Sequence, residues 1–299
     1  SYTYYIMKKK INRRSFIKNA SIPVLGAATF SSFNVHASTT TELNMVTSWP
    51  ENFPGIGLGA NRLAQRIESL SNNRIKVNVY SAGKLVPPFG VFDAVSSGTA
   101  DLYHSAEFYW GGKNKAYPFF AAVPFGMTCQ EMDDWILHNG GRELFDELGE
   151  EMGFKGFHAG NTGTQAGGWF RKEINSAADF EGLKYRMPGL GGKVISKMGA
   201  SSITMAGGEI YQSLQSGAID GAEWIGPASD ESLGLQEATN IYYTAGFHEP
   251  GAALSVCINL DRWDGLSDTH KETIRISGGP HSACPVSYTH LTLPTILLV

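Results

Sequence analysis

Cysteine is scarce in this chain, and the three present, Cys129, Cys257 and Cys284, form no C-x-x-C pair. That spacing excludes a zinc knuckle and a dithiol redox motif. The eight histidines include no pair at helical metal-ligand spacing, which argues against a zinc centre. There is no G-x-S-x-G elbow and no Cys/His pair at informative spacing, so the common hydrolase signatures are missing. Basic charge is not in excess either. The formal net charge is −4, which offers no electrostatic footprint for nucleic acid. Long hydrophobic runs are absent as well: the apolar stretch from Ala20 to Phe30 is broken by Ser21, Pro23, Gly26 and Thr29 before it could span a bilayer.

What the N-terminus does contain is ordered. Lys8, Lys9, Lys10, Arg13, Arg14 and Lys18 make a basic head, the mildly apolar stretch follows, and Val35-His36-Ala37 ends in a small residue suited to cleavage. The run N-R-R-S-F-I-K reads as a twin-arginine export signal over residues 1–37, which predicts a periplasmic protein that folds before export. Such a chain folds in a reducing cytoplasm and cannot depend on early disulfides. At the other end, residues 280–299 lose both helical and strand patterning and read as an aberrant tail.

From Glu42 onward, short apolar strands alternate with amphipathic helices: LNMVTSW, IGLGANRLAQRIESL, IKVNVY, VFDAVSSG, ADLYHSA. This alternation predicts βαβ units on mainly parallel sheets. A helical stretch from Gln130 to about Met152, broken near Gly140-Gly141, precedes a second series. The order predicts an α/β fold of two lobes around a ligand cleft, with lobe 1 over 41–163, lobe 2 over 164–250, and a return to lobe 1 over 251–279. Two segments resemble each other, VFDAVSSGTADL and IYQSLQSGAIDGAE. In each, a helix ends at Gly98 or Gly217 and is followed by Asp101 or Asp220, as if one device served each lobe. Gly55, Gly57 and Ala60 fit a loose dinucleotide fingerprint, but IKVNVY is followed by Ser81-Ala82-Gly83, with no acid for a ribose. A helix N-terminus facing the cleft accounts for these glycines better.

The candidate chemistry centres on three residues. Arg186, in YRMPGLGG, offers a planar guanidinium able to make two parallel hydrogen bonds to a carboxylate. Glu223, in AIDGAEWIGP, and the amide oxygen of Gln165 are hard oxygen ligands suited to sodium or calcium. If an acid and a cation join Arg186 and Glu223, each negative group meets a positive partner and a dry pocket can close. Each residue also has a plainer reading. Glu223 could serve in a salt bridge, Gln165 could satisfy loop backbone, Asn161 could shape the GNTG turn, and Tyr109 could be an ordinary core aromatic.

The runs AVSSGTADLYHSAEFYW, GNTGTQAGGWFRKEI, YRMPGLGG and SGAIDGAEWIGP, in that order, resemble the substrate-binding proteins of tripartite ATP-independent periplasmic (TRAP) transporters. The resemblance spans about Glu42 to Gly279. It is strongest to the branch that binds 2-oxo and 2-hydroxy monocarboxylates with a metal cation. That branch implies a carboxylate anchor at Arg186, substrate contacts from Tyr109, Asn161 and Gln165, and a cation held by Gln165, Glu223 and the main-chain carbonyl of Trp224. It further implies a receptor, not an enzyme, that delivers its closed form to membrane permease subunits, and some relatives pair as homodimers. A metal-dependent periplasmic enzyme acting on a 2-oxo acid is the alternative, which needs a base of tuned pKa near the substrate carbon.

Overall fold

The structure, a computed structural model, describes residues 40–278. The export signal read in residues 1–37 and the tail read in 280–299 lie outside them. The first elements are β1 (Thr41–Thr47), α1 (Ile56–Leu70), β2 (Ile75–Tyr80), α2 (Val91–Ser96), β3 (Leu102–Ser105), α3 (Cys129–His138), α4 (Gly141–Met152) and β4 (Phe154–Asn161). Next come β5 (Gly168–Phe170), β6 (Lys184–Arg186), α5 (Gly189–Lys197), β7 (Ser201–Ile203), α6 (Gly207–Ser216), β8 (Gly221–Ala222), α7 (Pro227–Ser232), α8 (Leu235–Ala238) and β9 (Ile241–Tyr243). The described chain closes with β10 (Ala253–Asn259), α9 (Leu260–Asp264) and α10 (Asp268–Ser277).

These strands form two five-stranded sheets, ordered β2-β1-β3-β10-β4 and β7-β6-β8-β5-β9. In each sheet only the fourth strand is reversed: β10 is antiparallel to β3 and β4, and β5 is antiparallel to β8 and β9. The sheets are therefore mainly parallel, as the strand and helix alternation predicts. The reversed strands share an origin, since β5 is the first strand after the chain leaves the first sheet and β10 the first after it returns.

The two passages between sheets, 162–167 and 244–252, run side by side. Thr162 N donates to Ala252 O at 2.9 Å and Gln165 N to Glu249 O at 3.0 Å. The Thr164 hydroxyl donates to Pro250 O at 3.0 Å. An apolar cluster joins the sheets around these crossings, with Trp49, Phe53, Ile56 and Phe108 from one side meeting Ile210, Leu214 and Trp224 from the other. Elsewhere α1 buries Ala60, Leu63, Ala64 and Ile67 at helical spacing against Leu43, Met45, Ile75 and Val77 of β1 and β2.

The repeated Gly-to-Asp segment proves to be one construction used twice. After α2, Gly98 takes φ +75°, and Asp101 exchanges with Asn44 of β1: Asp101 N donates to Asn44 O at 3.0 Å and Asn44 N donates to Asp101 Oδ2 at 2.7 Å. After α6, Gly217 takes φ +77°, Asp220 N donates to Lys184 O at 2.7 Å and Lys184 N donates to Asp220 Oδ2 at 2.9 Å. A short carboxylate thus pins a neighbouring parallel strand in both sheets.

AIDGAEW pairs as a strand only at Gly221–Ala222, so Glu223 and Trp224 lie just past the strand end. The glycines after Pro188 belong to the first turn of α5, where Gly191 packs against the Cβ of His248.

A second carboxyl sits deep in the first lobe. Glu107 is fully buried, accepts from the Tyr103 hydroxyl at 3.2 Å, and is pushed up to about 8 by burial. The folded state then holds a proton that the unfolded chain releases above its ordinary value of 4.5, so this group's contribution to stability falls as pH rises from there to about 8. His104, lowered by burial to about 4, acts in the opposite sense only below 6.5. Glu107→Gln is expected to remove up to about 2 kcal/mol of the stability lost between pH 6.5 and 8, roughly one proton's slope, in urea unfolding at the two pH values.

Candidate functional site

The site forms where two parallel strands end. Arg186 is the last residue of β6, and Glu223 follows the last residue of β8, with Arg186 paired to Ala222 in the ladder. Glu223 N donates to Arg186 O at 3.3 Å, and Arg186 Nη1 donates to Glu223 O at 3.0 Å, so the two backbones are fixed to each other. The crevice beyond the carboxyl ends of parallel strands is a common location for ligands in α/β sheets.

Arg186 is 1% exposed, and all five guanidinium donors are used within the chain. Nε and Nη2 both reach Met205 O at 3.2 Å. Nη1 makes an ion pair with Glu223 Oε1 besides its bond to the Glu223 carbonyl. Nη2 also reaches the Tyr109 hydroxyl at 3.4 Å. The guanidinium lies over the Trp224 ring, 5.0 Å from its centroid. Burial opposes the charge, but Glu223 outweighs it and keeps Arg186 protonated.

Glu223 is 1% exposed, and its other oxygen, Oε2, faces His248 Nε2 at 3.3 Å. For His248, burial disfavours the imidazolium, yet the hydrogen bond and charge of Glu223 carry its pKa above the usual histidine value. Arg186, Glu223 and His248 therefore form one buried chain of charge.

Gln165 sits on the first crossing, 4% exposed. The Thr162 hydroxyl decides which end of its amide is free. That hydroxyl spends its proton on Gly163 O at 3.0 Å, so it accepts from Gln165 Nε2 at 2.9 Å. Gln165 Oε1 is left buried without a partner. Opposite, on the second crossing, Glu249 is 5% exposed, and its Oε2 is likewise buried without a partner. Burial and the neighbouring Glu223 push Glu249 up to about 8. Both residues line one cavity, together with Arg186, Tyr109, Glu223 and Trp224, and with Ile56 from the start of α1.

The tyrosine and asparagine fare differently. Tyr109 is partly buried, lines the cavity and packs against Phe89 with ring centroids 4.6 Å apart. Burial raises its hydroxyl to about 12, so it stays a neutral donor. Asn161 stands just outside that lining: its Oδ1 accepts from Gly163 N at 2.7 Å, as in a turn, while its Nδ2 is buried without a partner.

Sequence reasoning missed three supports. His248 and Glu249 lie in a crossing with no periodic pattern, and Glu249 is set beside the other crossing, where its carbonyl accepts from Gln165 N at 3.0 Å. Asp230 on α7 accepts from Ile225 N and Gly226 N at 3.0 Å each and from Trp169 Nε1 at 3.0 Å, which holds the loop that carries Glu223 and Trp224. Among the described residues, no group of three or more His, Cys, Asp or Glu side chains is arranged to hold a metal. A cation here would depend on amide and main-chain oxygens beside the carboxylates, a hard and partly neutral donor set. The unpartnered oxygens of Gln165 and Glu249 fit that requirement.

Residues 45–277 match the family described as bacterial extracellular solute-binding protein, family 7, and the chain belongs to that family. Among its relatives is a monocarboxylate 2-oxoacid-binding periplasmic protein of Nostoc sp., 39% identical over 271 residues, covering 89% of this chain and 74% of the relative. A TRAP solute-binding protein from Bordetella bronchiseptica superposes with TM-score 0.82 at 33% identity, covering 85% of this chain and 76% of that one; it is a dimer with copurified calcium and picolinate in one site and the other site apo. A TRAP solute-binding protein from Pseudoalteromonas atlantica, with bound sodium and pyruvate, superposes with TM-score 0.77 at 37% identity, covering 80% and 72% of the two chains. The two-lobed α/β architecture is that of these receptors. No helix among the described residues is long and apolar enough to cross a membrane.

The closeness of β5 and β8 depends on Gly168, which takes φ +102° and lies where a Cβ would stand 2.7 Å from Glu223 Cα. Gly168→Ala is expected to lower stability by about 1–3 kcal/mol, read as a fall in Tm, because backbone carrying a site residue must yield.

Proposed function

We propose that this chain is the periplasmic receptor of a TRAP transporter, binding a small 2-oxo or 2-hydroxy monocarboxylate of the pyruvate or lactate kind together with sodium or calcium. The observation that carries this reading is the meeting, in one buried cavity, of a guanidinium, a carboxylate and two unpartnered carboxyl and amide oxygens. The names of the Nostoc, Bordetella and Pseudoalteromonas relatives point the same way.

In this reading the Nη1/Nη2 edge of Arg186 takes the ligand carboxylate and the Tyr109 hydroxyl donates beside it. Gln165 Oε1, Glu223, Glu249 and the Trp224 main-chain carbonyl hold the cation, which supplies positive charge for the acid's oxygens. Gln165 also borders the acid, and Asn161, whose Oδ1 shapes the turn that carries Thr162, has its unpartnered Nδ2 to donate to the acid. Trp49, Ile56, Phe108 and Trp224 exclude water, which strengthens every charge contact inside. The loaded form is what the membrane permease subunits receive. A rotation about the paired crossings at 162–167 and 244–252 provides the closing movement. This is the work of a receptor, and no turnover is expected.

Calorimetry with pyruvate, lactate and longer 2-oxo acids, with calcium and with a chelator, tests the proposal. Arg186→Lys keeps the charge but loses the fork, and acid affinity should fall about ten- to a hundredfold. Unchanged affinity in that variant removes Arg186 from the anchor role. Proton NMR of pyruvate in D2O with the protein should show the methyl signal unaltered. Its loss by exchange, or a new product, moves the site to the enzyme reading.

A further inference from the structure

Arg186 is a carboxylate anchor whose donors are already taken. One edge of the guanidinium, Nε and Nη2, is held by Met205 O at 3.2 Å. The other edge, Nη1 and Nη2, meets the Glu223 carboxylate and the Tyr109 hydroxyl. A ligand carboxylate seated on that second edge must replace the carboxylate of Glu223. Displaced on its own, Glu223 would remain a buried anion with only His248 beside it, a costly arrangement. The converse holds for a cation. If a cation alone draws Glu223 away, Arg186 is left a buried cation with an unmet donor. Either ligand alone leaves one buried charge without its partner, whereas the two together leave none.

The geometry points to a specific role for Glu223: we infer that it is an internal competitor for Arg186, and that the cation admits the acid chiefly by drawing this competitor off the guanidinium. This rests on the proposed reading of the pocket as a joint site for acid and cation. The exchange asks little of the backbone. Glu223 N and O are both fixed to Arg186, so only the side chain moves. Gln165 Oε1 and Glu249 Oε2, both unpartnered, line the same cavity. Coupling of this kind is reciprocal: the factor by which cation improves acid binding equals the factor by which acid improves cation binding.

The test separates a competitor from a mere cation ligand. Pyruvate affinity is measured by calorimetry and by tryptophan fluorescence, which the stacking of Arg186 on Trp224 makes responsive, in EDTA and in calcium chloride. The wild type should bind pyruvate about ten- to a hundredfold more tightly with calcium, and calcium affinity should rise by the same factor with pyruvate. Glu223→Gln removes the competing charge. In EDTA it should bind pyruvate about tenfold more tightly than the wild type does in EDTA, and calcium should add little. Glu223→Ala gives the same comparison if the glutamine variant does not fold. Two results overturn the inference: variants in EDTA that bind pyruvate no better than the wild type in EDTA, or a wild type indifferent to calcium. A wild type that binds no acid even in saturating calcium sinks the underlying reading along with the inference.

Discussion

The structure depends on a buried positive charge being met in full. Arg186 ends an interior strand of its sheet, nearly without exposure, and it is tolerable there only because every donor has an acceptor. Much of the local architecture follows from that requirement. Met205 O serves one edge, and the end of β8 is held so closely that Glu223 offers both its carbonyl and its carboxylate. Asp230 then secures the loop beyond, tying Ile225, Gly226 and Trp169 together through one carboxyl. Asp230 is itself pushed up to about 7 by burial, so this stretch holds several carboxyls away from water.

The two sheets are built by the same local chemistry and joined by the same move. Each has four strands running one way and one reversed strand in fourth place, and each reversed strand is where the chain arrives from the other sheet. The first sheet is incomplete until the chain has built the second, because β10 lies between β3 and β4. A long-range dependence of this kind ties the two halves into one folding problem.

Much of this was legible in the residues. The amphipathic period of IGLGANRLAQRIESL marks α1 end to end, and the Gly-to-Asp segments announce their shared role because glycine at a helix end and a short carboxylate are local signals. Arg186, Gln165 and Glu223 stand out as polar groups in apolar or turn-rich runs. Glu249 does not. In GFHEPGAAL its residue type suits a cleft wall and a strand cap alike, since its burial comes from lying beside a crossing more than eighty residues upstream. Asn161 shows the limit differently: its residue type suits a ligand contact and a turn equally, and only the bond from Gly163 N decides where its oxygen goes. Strands as short as Ser201–Ile203 escape for a related reason, because pairing with β6 defines them more than their own composition does.

The paired crossings have a mechanical consequence for selectivity. In any rotation of one sheet against the other about residues 162–167 and 244–252, atoms near the axis travel least and atoms far from it travel most. Gln165 and Glu249 lie on the crossings themselves, while Tyr109 and Arg186 belong to opposite jaws. Under the proposed reading, the oxygens at the pivot would keep nearly constant spacing through such a swing, as a fixed gauge for an ion's radius. The jaws would work as a caliper whose gap is set by the length of whatever they grip. One hinge would then judge two solutes by two separate measures, a radius at the fulcrum and a span at the tips.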